Sequence, residues 1–194
     1  MSRWYGFKFD VRGEHHLDDI GPCVLVCNHQ NTLDLVVAPK PLRRGTVSIG
    51  KKSLKWIPVF GLFYWITGNI MIDRKNSNKA ADTLNQAAEE MMTKKLSVWM
   101  FPEGTRSYGR GLLPFKTGAF RLAKQVGVPI VPVCVSDTHE LVNLNRWNNG
   151  VVPIEVLPPV YIDNDADIRK VANEIHDQMA ATIARITHEV KGKS

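Results

Sequence analysis

A chain of 194 residues with 44% apolar and 23% charged side chains is long enough for one domain with its own core and too apolar for a disordered segment. Lys and Arg number 25 against 19 Asp and Glu, so the net charge of +6 points to an anionic partner: nucleic acid, an anionic membrane surface or a phosphorylated substrate. No nucleic-acid module is legible, since metal-finger spacing, a basic heptad helix and an interleaved aromatic and basic sheet motif are all missing.

Phe7, Phe9 and Val11 alternate with charged residues as a half-buried strand does, and the polar loop Gly13 to Gly21 leads to an apolar run, Pro22 to Cys27, read as a buried strand. The two are expected to pair as a hairpin. His15, His16, Asp18 and Asp19 in that loop read as solvated residues, so no metal is expected there. Cys23, Cys27 and Cys134 lie in apolar runs without Cys-x-x-Cys spacing, as reduced core residues of a cytosolic protein do. The start, Met1 to Gly6, has no apolar signal region.

After the second strand, Leu33 to Ala38 opens a helix with Asn31 or Thr32 as its cap. Thr46 to Gly50 is a short strand, followed by the basic step Lys51-Lys52-Ser53, which holds an anion or forms a solvated turn. Trp56 to Ile72 is 17 residues without a charge, but Pro58, Gly61 and Gly68 interrupt it. It reads as an apolar helix and a strand, Asn69 to Asp73, with a face that could meet lipid or an acyl chain. Asn78 to Lys95 has the spacing of an amphipathic helix, Leu96 to Phe101 is a strand, and Lys116 to Val126 is a helix stopped by Gly127. Val128 to Ser136 is a strand whose Pro129 and Pro132 argue for an edge or an irregular path. Val151 to Leu157 is a strand, and a long helix with Ile175, Met179 and Ile186 in its stripe follows from Asp167. Strands alternating with helices predict a single α/β domain over residues 1–194 with a largely parallel central sheet.

Two stretches carry the chemistry. In Asn28-His-Gln-Asn-Thr-Leu-Asp34, His29 and Asp34 are five apart, about 140° on a helix and on opposite faces of a strand. Only a strand, a turn and a first helical turn would bring them together, with His29 as general base and Asp34 as its orienter. The plainer alternative is a loop histidine beside a helix-capping aspartate. In Phe101-Pro-Glu-Gly-Thr-Arg-Ser107, again at a strand's carboxyl end, Arg106 could grip phosphate while Glu103 hydrogen-bonds a hydroxyl or orders the loop. There the alternative is a Glu103–Arg106 pair across a turn. Arg74, which closes Gly68-Asn-Ile-Met-Ile-Asp-Arg74, adds a second arginine at a third strand end.

Those three blocks and Val128-Pro-Ile-Val-Pro-Val133, in this order and approximate spacing, resemble the four blocks of the glycerolipid acyltransferases, and most of all the bacterial 1-acyl-sn-glycerol-3-phosphate acyltransferases. The resemblance implies that family's fold and the transfer of an acyl group from acyl-CoA or acyl-acyl carrier protein to the sn-2 hydroxyl of lysophosphatidic acid, giving phosphatidic acid. His29 would be the base and Asp34 its orienter, Arg74, Glu103, Gly104, Thr105 and Arg106 would bind the glycerol phosphate, and the Val128 to Val133 block would line the acyl site. Lys51 or backbone N–H groups near Gly104 are the candidate oxyanion donors. The reaction needs a membrane surface, at the cytoplasmic face of the inner membrane, but no nucleic acid and no cofactor beyond the acyl donor. Glycerol 3-phosphate or another lysophospholipid is the alternative acceptor. Family members usually carry an apolar membrane segment before the first block, and the 27 residues ahead of Asn28 contain none.

Overall fold

The computed structural model describes residues 7–37, 39–51, 70–72, 77–142 and 149–191. Apolar runs become strands wherever the sequence lacks helical spacing: β1 (Phe7–Arg12), β2 (Val24–Cys27), β3 (Thr46–Lys51), β4 (Ile70–Ile72), β5 (Ser97–Met100), β6 (Ile130–Val135) and β7 (Gly150–Val156). They form one sheet in the order β1-β7-β6-β2-β5-β3-β4. Between them lie α1 (Asp34–Val37), α2 (Ser77–Lys94), α3 (Gly118–Val126), α4 (Thr138–Leu141) and α5 (Ile168–Lys191). The helix expected within Trp56 to Gly68 lies outside the described residues, as do Arg74 and the Lys52-Ser53 part of the basic step.

The pairings among the described strands are parallel except β6 with β7, so the sheet is mixed but mostly parallel. β6, β2, β5, β3 and β4 share one direction, and their carboxyl ends therefore share one edge of the sheet. That edge is where open α/β sheets bind ligands.

The expected hairpin of the first two strands is not made. β1 runs parallel to β7 at the far edge, in register from Phe7 opposite Gly150 to Arg12 opposite Glu155, while β2 lies at the centre. A short 3₁₀ turn, Glu14–Leu17, buries Leu17 and places His16 Nδ1 2.9 Å from the Val156 carbonyl, carrying the chain across the end of β7 instead of folding it back. The prolines of β6 also need a correction. Pro132 stands opposite Val26 in an interior strand between β2 and β7. Its carbonyl accepts the Leu157 N–H at 2.9 Å, so its own missing N–H faces the same side, just past the end of β7, where no ladder bond is lost.

Both faces of the central strands are buried, which is why those runs are continuously apolar. Val24, Val26, Val98, Ile130 and Cys134 meet Ala87, Ala88 and Met91 of α2, Phe120, Leu122 and Ala123 of α3, and Ile175, Met179 and Ile186 of α5. The alternate residues Leu25, Cys27, Trp99, Val131, Val133 and Val135 pack on the other face with Leu17 and Val37. Each large apolar side chain so buried contributes about 1.5–3 kcal/mol. Gly127, at φ 74°, ends α3 in the left-handed region with its N–H on the Ala123 carbonyl. Among the described residues no helix is long and apolar enough to cross a membrane.

Candidate active site

β2 ends at Cys27, and Asn28, His29 and Gln30 leave the sheet at the carboxyl edge before α1 begins at Asp34. That short turn wraps around a buried carboxylate. Asp34 Oδ2 lies 2.7 Å from His29 Nδ1 and also accepts the backbone N–H groups of Gln30 at 2.6 Å and Asn31 at 3.0 Å. With Nδ1–H donating to Asp34, the lone pair of the imidazole resides on Nε2. The ring is also held by its face: it stacks on Phe101 with centroids 4.0 Å apart and planes 16° apart, and Phe101 meets Trp99 edge-on. The two alternatives for Asp34 are thus not exclusive, since one oxygen both closes the turn and orients the imidazole.

The loop after β5 is joined to this turn by backbone and side chain. Ser107 N–H donates to the His29 carbonyl at 2.8 Å and Tyr108 N–H to the Gln30 carbonyl at 2.9 Å. Glu103 is buried. Its Oε1 accepts the His29 N–H at 2.6 Å and its Oε2 the Leu113 N–H at 2.9 Å. Burial raises the Glu103 carboxyl above its ordinary value, while the two backbone donors act in the opposite sense. Among the described residues Glu103 and Arg106 form no ion pair; the Arg106 guanidinium donates to the Tyr108 hydroxyl at 3.2 Å, and Arg110 is occupied by the carbonyls of Ser107 and Arg106. Gly104 takes φ 71°, which only glycine adopts without strain, and Thr105 is exposed at the tip of the loop.

Three contributors were not legible in the sequence. Asn28 bridges to the end of β6, its Nδ2 donating to the Val135 carbonyl at 2.9 Å and its Oδ1 accepting the Val135 N–H at 2.8 Å. Gln30 donates to the Ser136 carbonyl at 2.8 Å and accepts the Thr138 N–H at 2.8 Å. Phe101 supplies the surface beneath the imidazole. The only sequence signal was that Asn28 and Gln30 flank His29 just past a buried strand, where a polar side chain must find a partner.

Lys51 closes β3 opposite Ile72 of β4, on the same edge of the sheet, and the Val128 to Val133 block enters the sheet as β6, buried on both faces. Asn28, Gln30, Glu103, Ser107 and Asp137 help wall a cavity of about 30 Å³ beside the loops, room for water and not for substrate. Cys23, Cys27 and Cys134 are free thiols buried in the core, and burial raises all three above their ordinary value, as for structural cysteines. Among the described residues no group of His, Cys, Asp and Glu side chains is arranged to hold a metal ion.

Fold and edge together define an α/β domain of the class whose ligands bind at the carboxyl ends of parallel strands. The Acyltransferase family model matches residues 8–136. The chain is 45% identical to the 1-acyl-sn-glycerol-3-phosphate acyltransferase of Haemophilus influenzae, over 98% of this chain and 83% of that one, and 46% identical to the Escherichia coli protein of the same name, over 98% and 78%. The human 1-acyl-sn-glycerol-3-phosphate acyltransferase alpha is 36% identical over 97% and 68%. The crystal structure of the 1-acyl-sn-glycerophosphate acyltransferase PlsC from Thermotoga maritima superposes with a TM-score of 0.77 at 22% identity, covering 94% of this chain and 73% of that one, and shows the same fold. The chain belongs to the acyltransferase family and is an O-acyltransferase.

Proposed function

We propose that the protein transfers an acyl group from acyl-CoA or acyl-acyl carrier protein to the sn-2 hydroxyl of 1-acyl-sn-glycerol 3-phosphate, giving phosphatidic acid, at the cytoplasmic face of the inner membrane. The names of the bacterial relatives support the acceptor. The observation that carries the chemistry is the 2.7 Å contact of His29 Nδ1 with Asp34, which leaves Nε2 as the basic nitrogen.

In this reading Nε2 takes the hydroxyl proton as the oxygen attacks the thioester carbonyl, and Asp34 stabilises the imidazolium that forms. The tetrahedral oxyanion then collapses, the C–S bond breaks, and the departing thiolate takes the proton back from Nε2. No acyl-enzyme is required. Lys51 and the loop beyond Gly104 are the candidate oxyanion donors; the Thr105 N–H has no acceptor among the described residues. Arg74 and Arg106, with the Thr105 side chain, hold the phosphate, Gly104 supplies the turn with its own N–H given to the Phe101 carbonyl, and Glu103 acts through the backbone of His29 to keep base and loop in register. The excess of basic residues draws the protein to an anionic membrane surface.

The test is His29→Ala, incubated with lysophosphatidic acid and each labelled acyl donor, with phosphatidic acid read directly. Product should vanish while circular dichroism and Tm remain those of the wild type; near-normal turnover would remove the proposal.

A further inference from the structure

Glycine at 104 does more than permit a left-handed turn. A Cβ placed there would lie 2.8 Å from Lys116 Nζ and 3.1 Å from its Cδ and Cε, so the end of the Lys116 side chain rests directly on the Gly104 backbone. The position is built, because Lys116 donates its own N–H to the Pro102 carbonyl at 2.9 Å, fixing the segment before α3 against the loop. Lys116 is exposed, and its ammonium has neither carboxylate nor hydrogen-bond partner among the described residues.

Neighbouring basic side chains are differently placed. Arg110 is occupied by two backbone carbonyls and Lys124 by the Ala166 carbonyl at 3.0 Å, both structural uses. Among the described residues the Arg106 guanidinium has only the Tyr108 hydroxyl as partner. The loop Glu103-Gly104-Thr105-Arg106 therefore carries two cations that no carboxylate among the described residues pairs with, one in its sequence and one laid over its glycine, while Glu103 is turned to the backbone of His29 and Leu113. Like charges gathered at one turn are unfavourable unless an anion completes the site. A phosphate monoester, with between one and two negative charges near neutral pH and three acceptor oxygens, matches two such donors.

We propose that Lys116 is a second phosphate-binding cation for the acceptor, acting with Arg106 across Gly104. This rests on the acceptor proposed above. It assigns Lys116 to the acceptor's phosphate monoester and not to the phosphates of the acyl donor.

The experiment compares wild type, Lys116→Met and Lys116→Arg in the full chain. Lys116→Met keeps the unbranched stem, one atom shorter, and removes the charge. Its KM for lysophosphatidic acid rises about tenfold, the effect of one lost charge-assisted hydrogen bond, while its KM for acyl-CoA stays at the wild-type value. Lys116→Arg recovers most of the loss. An acceptor KM that does not move, or a donor KM that rises with it, overturns the assignment. A parallel arm uses sn-glycerol 3-phosphate as a thermal-shift probe: it raises the Tm of the wild type and raises that of Lys116→Met less, and equal shifts, or none in either protein, also overturn it. Wild type that is stabilised by the probe but forms no phosphatidic acid would sink the acceptor proposal while leaving Lys116 its phosphate.

Discussion

Glu103 accepts the backbone N–H of His29 at 2.6 Å, across the 74 residues that separate them in the chain. The imidazole and the Gly-Thr-Arg loop are thereby one hydrogen-bonded unit, because His29 also gives its carbonyl to Ser107 and rests its ring on Phe101. A shift of the loop must move the imidazole. Spatial tolerance in acyl transfer is small, and a misplacement of about 1 Å can cost a hundredfold in rate.

Glu103→Gln tests that coupling. One of the two oxygens becomes an NH₂ group facing a backbone N–H, either that of His29 or that of Leu113, so a hydrogen bond is lost and two donors oppose each other. A loss of about 1–3 kcal/mol in urea unfolding is expected, together with a fall in kcat. Unchanged stability and turnover would show that the two bonds do not hold the loop.

The same carboxyl predicts a pH dependence of stability. Burial raises its folded-state pKa above the unfolded value, so between the two the folded protein binds more protons than the unfolded chain. Stability contributed by this group is therefore present at low pH and declines as pH rises from the ordinary carboxylate range through the raised pKa. The unfolding free energy of the wild type minus that of Glu103→Gln should fall across that window and level off above it. A difference that rises with pH would reverse the assignment.

Asp34→Asn separates orientation from base strength. The amide keeps an oxygen for the three donors that converge on Oδ2 but cannot offer a charged one to the imidazolium. Turnover is expected to fall by about a hundredfold or more while KM for both substrates moves little. Steady-state kinetics on protein with native circular dichroism is the check, and a variant within a few-fold of wild type would show that Asp34 only closes the turn.

Asn28→Ala removes both side-chain bonds to Val135 and leaves a buried N–H and a buried carbonyl at the end of β6 without that partner. A destabilisation of about 1–3 kcal/mol is expected from chemical unfolding. Because Asn28 adjoins His29, kcat should fall more than in a control such as Leu122→Ala, which opens a cavity in the core on one face of the sheet and costs about 2–5 kcal/mol.

Much of this architecture was present in one dimension. The alternation of Phe9 and Val11, the unbroken run before Asn28, the three-and-four spacing of Ala87, Ala88 and Met91, and Gly127 after Val126 each report short-range sterics and one-sided or two-sided burial, which neighbouring residues settle among themselves. So does the placement of His29 and of Glu103 just past strand ends. A five-residue turn is short enough that His29 and Asp34 could be paired on local geometry alone.

What the chain could not reveal locally depends on closure over long distances. β1 lies beside β7 and not β2 because Leu17 finds burial across the end of β7, a preference that exists only once β7 is in place. Pro132 is tolerated inside the sheet because β7 stops before reaching it. Glu103 turns inward to His29 and Leu113 instead of outward to Arg106, and Lys116 comes to rest on Gly104, because the packed sheet brings these backbones together. Periodicity and capping are properties of a few adjacent residues, whereas the partner of a buried polar group is chosen by whichever distant donor the assembled core delivers to it.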